Sequence, residues 1–165
     1  MYLINFYYNM KKITLKDILS LIIIPIVGFI LLNIVFVINA VFQWILRRFL
    51  MIFIDFNPDM NLSWIPAMMR ILFVVVILII SFFVLRTKMK PIFKATFLVV
   101  PAATVLVTMG IFFYQIPIIS YIIGLIIVSG IIYYFYKTKQ SWLYYYSVIL
   151  ISLVLALFTL TGGEI

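Results

Sequence analysis

The chain has 165 residues, of which 68% are hydrophobic and 10% charged, whereas soluble domains are roughly half apolar and a quarter charged. That balance excludes a soluble globule and equally excludes a disordered chain, which needs low hydrophobicity and high charge. The net charge of +8 sits in short basic groups beside apolar runs, the pattern of membrane topology rather than of a nucleic-acid-binding face, so no nucleic-acid partner is expected.

Cysteine and histidine are both absent, which removes thiolate and imidazole metal ligands, Cys nucleophiles and His general bases. No metal or cofactor is expected. No G-x-S-x-G elbow and no acid within an apolar run offers an intramembrane catalytic set, so the reading leans away from an enzyme.

In chain order, residues 1–17 carry Tyr2, Phe6, Tyr7 and Tyr8 ahead of Lys11, Lys12 and Lys16, the composition of a segment resting at lipid headgroups or of an untethered tail. Met10 stands as a second candidate start. Met10-Lys11-Lys12 before an apolar run has the form of a leader, but Ile18–Leu46 is about twice a leader's apolar length, and a retained helix is expected.

The first span, 18–46, would be about 43 Å long. Pro25 lacks an amide and leaves the carbonyl of Leu21 unpaired, so a kink is expected there. At about 100° per residue, Gly28, Asn33, Asn39, Ala40, Gln43 and Arg47 share one arc, which is expected to face the bundle with its amides bonded across helices.

Trp44 to Arg70 follows, a polar island holding Arg47, Arg48, Asp55, Asp59 and Arg70. A helix continuing from 18 to 54 would exceed roughly 50 Å, so Arg47-Arg48 is read as a boundary, with 49–56 interfacial or re-entrant. Asp55, Asn57, Asp59 and Asn61 have the spacing of the first ligands of a calcium loop, but Met60 and Pro66 stand where Gly and Glu are needed, and a polar turn is expected.

From Ile71 to Leu85 is too short to cross a core of roughly 30 Å, so Pro66–Arg70 must be included. Ser63 is then the expected N-cap, and Arg70 is drawn below the membrane surface. The remaining spans are expected at 95–114, 118–136 and 142–160. Ser120-x-x-x-Gly124 and Ser152-x-x-x-Ala156 are small-residue patterns that permit close helix packing.

Alternating the loops puts nine Lys or Arg with Asp17 on one side, and Arg47, Arg48 and Arg70 with Asp55, Asp59 and Glu164 on the other. The positive-inside rule then makes the amino terminus cytoplasmic and the carboxyl terminus external. Tyr133, Tyr134, Tyr136, Trp142 and Tyr144–Tyr146 are read as the inner aromatic belt, with Trp44, Trp64 and Tyr114 as the outer one.

The expected fold is an all-α integral membrane protein: one domain of five transmembrane helices in the cell membrane, with residues 47–65 as an outer loop. Arg47, Arg48, Asp55, Asp59 and Arg70 are candidates for ligand or headgroup binding. Against that stands ion pairing of Arg70 with Asp55 or Asp59 while Arg47 and Arg48 snorkel. Asn33, Asn39 and Gln43 form a polar face within the membrane. The expected function is a non-enzymatic accessory or interaction subunit, its partners being the lipid bilayer and a membrane protein or a second copy of the chain. The alternative is a transporter component or lipid-handling protein built on the outer Arg/Asp cluster.

Overall fold

A computed structural model describes residues 15–53 and 64–161. Among these are five helices, each long and apolar enough to cross a membrane, and no strand: α1 Leu15–Phe53, α2 Ile65–Arg86, α3 Pro91–Phe112, α4 Pro117–Lys137 and α5 Trp142–Leu160. The chain is a multi-pass membrane protein.

The boundaries follow proline chemistry more closely than the position of charge. Pro66, Pro91 and Pro117 all sit in the first turn of their helices, where a missing amide costs nothing and the ring presets the backbone. A third span starting at residue 95 leaves Lys90 and Lys94 in the loop before it, and Lys90 does precede the helix as its N-cap. But α3 begins at Pro91, which places Lys94 in its first turn, and the Lys94 ammonium donates to the Leu85 carbonyl at 2.6 Å. The Lys94 charge therefore caps the carboxyl end of α2. The cap of α2 is Trp64 rather than Ser63, with no side-chain bond; Ser63 lies outside the described residues.

The boundary expected at Arg47-Arg48 is corrected. α1 runs unbroken for 39 residues through both arginines, about 58 Å of helix. Arginine is a good helix former, and bilayer thickness limits the apolar stretch immersed in it rather than the helix that carries it. From Trp44 to Ile52 no side chain of α1 is buried.

The bundle gathers on α3, which touches all four other helices. Ile24 of α1 and Ile151 of α5 pack against Ala95, Val99, Ala102 and Ala103 of α3. Leu98 of α3 meets Phe135 of α4 with Tyr144 and Val148 of α5, and Val100 meets Phe73 and Ile77 of α2. Hydrocarbon provides no hydrophobic drive between helices, so association depends on close van der Waals approach, which small residues allow. Gly28 brings α1 close to α3: a β-carbon there would stand 3.3 Å from Val99 Cγ2. Tyr144, read above as part of the aromatic belt, is buried against Phe135 with ring centroids 5.7 Å apart. Tyr133, Tyr134 and Tyr136 are exposed.

Pro25 lies inside α1. The Leu21 carbonyl that it strands accepts a hydrogen bond from the Tyr146 hydroxyl of α5 at 3.0 Å. A local backbone defect is thereby turned into a bond between α1 and α5. Tyr146→Phe is expected to cost about 1 kcal/mol, and less than half of that in a Pro25→Ala background, where the restored amide occupies the same carbonyl. Denaturant titration of the four proteins in detergent checks this; equal penalties in both backgrounds would contradict it.

Candidate functional site

The polar face expected on the first span is turned by about 90° in the structure. The side chains of α1 that pack inward are Ile24, Gly28, Leu31, Leu32, Val35 and Phe42, whereas Asn33, Ala40 and Arg47 are exposed. Shape decides the packing, and the polar groups are satisfied locally. The Asn33 amide donates to the Phe29 carbonyl of its own helix at 2.8 Å, and Gln43 donates to Asn39 Oδ1 at 3.0 Å. Bonds between helices come instead from Tyr146 to Leu21, from Tyr121 to Thr159 Oγ1 at 2.9 Å, and from Lys94 to Leu85.

The island of charge divides in two. Arg47 and Arg48 are exposed near the carboxyl end of α1, and the Arg48 guanidinium stands over the Trp44 ring, 5.7 Å from its centroid, within cation–π range. Asp55 and Asp59 lie outside the described residues. Arg70 is half-buried in the second turn of α2, and among the described residues it has no ion pair.

Arg70 lines a groove of about 250 Å³ between α1, α2, α3 and α5, together with Asn39, Thr104 and Thr108. Arg70 and Asn39 were assigned to separate groups on sequence grounds, and the fold brings them to one wall. Thr104 and Thr108 join them from α3. Their spacing of four along α3 places both on one side of that helix, but only the position of α2 shows that this side meets Arg70. Arg47 and Arg48 do not line the groove.

The small-residue patterns of α4 and α5 face each other across a second space. Gly110, Ser120, Gly124, Ser129, Ser152 and Ala156 line a furrow of about 460 Å³ between α3, α4 and α5. A β-carbon at Gly124 would meet only Leu106, at 3.7 Å, so these residues leave room where close packing had been expected. Among the described residues no group of three or more His, Cys, Asp or Glu could hold a metal ion.

Comparison with protein-family models, curated proteins and solved structures returned no match. The site is therefore described by its own geometry alone.

Because Asn33 is exposed and bonds only to its own helix, Asn33→Leu is expected to leave the isolated chain as stable as before, or more stable by up to about 1 kcal/mol. Denaturant titration in detergent reads this directly. A loss of more than about 1 kcal/mol would place Asn33 in a bond between helices after all.

Proposed function

We propose that the chain is a non-enzymatic accessory subunit of a membrane assembly, seated in the cell membrane with its amino terminus cytoplasmic and its carboxyl terminus outside. The observation that carries this reading is the furrow between α3, α4 and α5. Among the described residues α4 touches only α3 and α5, and Phe135 is its one buried residue. The small residues along the furrow permit a backbone approach that bulkier side chains would block. A transmembrane helix of a partner protein, presenting its own medium-sized apolar side chains, fits this space and this chemistry.

A second reading, a lipid-handling protein, is favoured by the position of Arg70 in its groove. It keeps Arg70 and Asn39 from the original candidates and does not use Arg47 and Arg48.

The orientation is supported by the distribution of basic residues: Arg86, Lys88, Lys90, Lys94, Lys137 and Lys139 lie at the ends of α2, α3 and α4 that share one side of the bundle. The chain has no native cysteine, so single-cysteine variants report directly. A membrane-impermeant maleimide is expected to label Gln115→Cys in intact cells and Thr138→Cys only after permeabilisation. The reverse pattern would invert the topology.

The accessory role is tested by photocrosslinking in cells from position 153, an exposed lining residue of the furrow. One discrete adduct is expected, and it should disappear when Gly124→Leu and Ala156→Leu fill the space while insertion is retained. A furrow that yields no adduct, or one indifferent to filling, would remove this reading.

A further inference from the structure

We propose that the groove walled by Asn39, Arg70 and Thr108 binds an anionic membrane lipid, its acidic headgroup held by Arg70 and the start of its acyl chain lying along Phe36 and Leu155. The inference does not depend on the accessory role, because the groove is walled in part by α1 and α2, which do not line the furrow.

The hydroxyl of Thr108 is the first observation. In hydrocarbon a threonine ordinarily returns its proton to a carbonyl of the preceding turn, and Thr96, Thr104 and Thr159 all do so, to Ile92, Val100 and Leu155. Thr108 is 9% exposed, yet it makes no such bond among the described residues. It lines the groove. Among the described residues no buried side-chain nitrogen or oxygen lacks a partner, so the Thr108 oxygen keeps accessible surface and its hydroxyl is free to donate to a bound acceptor.

Arg70 is the second. Its guanidinium belongs to the same wall and has no ion pair among the described residues. It sits about a turn and a half inside α2, where a bare cation is costly, although its length lets it reach the headgroup layer. A phosphodiester or carboxylate oxygen supplies both a countercharge for the planar guanidinium fork and an acceptor for Thr108. Asn39 adds an amide whose oxygen is already engaged by Gln43, leaving its N–H groups to donate.

The third is the rest of the lining. Away from these polar groups the groove is apolar and is formed by four helices that would otherwise face hydrocarbon. A free inorganic anion would meet the polar end and leave the apolar part empty, whereas a lipid fills both. A membrane lipid is therefore the occupant that matches charge, acceptor and apolar wall together.

The test uses the full chain in a neutral maltoside detergent, titrated with short-chain phosphatidylglycerol, with phosphatidylcholine of the same chain length, and with glycerol phosphate. The wild type is expected to prefer phosphatidylglycerol over phosphatidylcholine by about tenfold, the equivalent of one charge-assisted pair, and to bind glycerol phosphate far more weakly. Arg70→Gln should remove that preference and Arg70→Lys restore part of it. Thr108→Val should weaken phosphatidylglycerol binding by about fivefold, and Arg48→Gln should leave it within about twofold. Retention of the wild-type preference by a folded Arg70→Gln protein would overturn the proposal, as would equal binding of glycerol phosphate and the lipid. The Asp55→Asn, Asp59→Asn double variant is expected to bind as the wild type does; a gain of about tenfold or more would assign Arg70 to an ion pair with those acids instead.

Discussion

Everything in this bundle depends on how closely the other helices can approach α3. Between helices immersed in lipid there is no water to expel, so attraction is limited to van der Waals contact and a few hydrogen bonds. The Ala95, Val99, Ala102 and Ala103 surface of α3 is low enough for α1 and α5 to lie against it together. Gly28 is the complementary feature on α1, since even one added carbon would press on Val99. Each of the three buried clusters includes a residue of α3, so the helix that contributes least bulk holds the most neighbours.

A second constraint shapes what remains. In hydrocarbon every backbone carbonyl and hydroxyl has to be satisfied within the protein or by something bound to it. Pro25 creates one vacancy and Tyr146 fills it. Ser81, Thr96, Thr104, Ser147 and Ser152 fold their hydroxyls back onto their own helices. Against that regularity the wall made by Thr108 and Arg70 stands out by contrast with its neighbours. The furrow beside α4 is the opposite case, a space with little polar demand, shaped for a surface rather than for a charged atom.

Much of this was legible in the sequence, for reasons that can be stated residue by residue. The five spans follow from apolar length alone, and α5 begins and ends where expected, at Trp142 and Leu160, because polar residues flank it on both sides. Helix starts fall at Pro91 and Pro117, four residues and one residue before the expected positions, since a proline in a first turn opens a helix as readily as a loop ends with one. Charge alone marks a boundary at Arg47 and Arg48, yet α1 continues past them, because two arginines do nothing to a helical hydrogen-bond ladder. The rotation of the inward face was missed because polarity was used to find it, whereas a membrane bundle packs by shape and satisfies Asn33 within its own helix. The meeting of Asn39, Arg70 and Thr108 was not legible at all: three residues on three helices carry no shared spacing, and only the packing on α3 brings them together.

The close approach of α1 to α3 is the most direct point at which to test this account. An ideal β-carbon at Gly28 lies 3.6 Å from the β-carbon of Val99, within the roughly 3.5–4.5 Å that a disulfide spans. The chain contains no cysteine to compete. Mild oxidation of a Gly28→Cys, Val99→Cys double variant in native membranes should give a fast, near-complete intramolecular disulfide, visible as a mobility shift reversed by reductant. If both single variants insert and the pair stays reduced, or if position 28 crosslinks only between chains, α1 does not pack on α3 and the bundle described above is wrong.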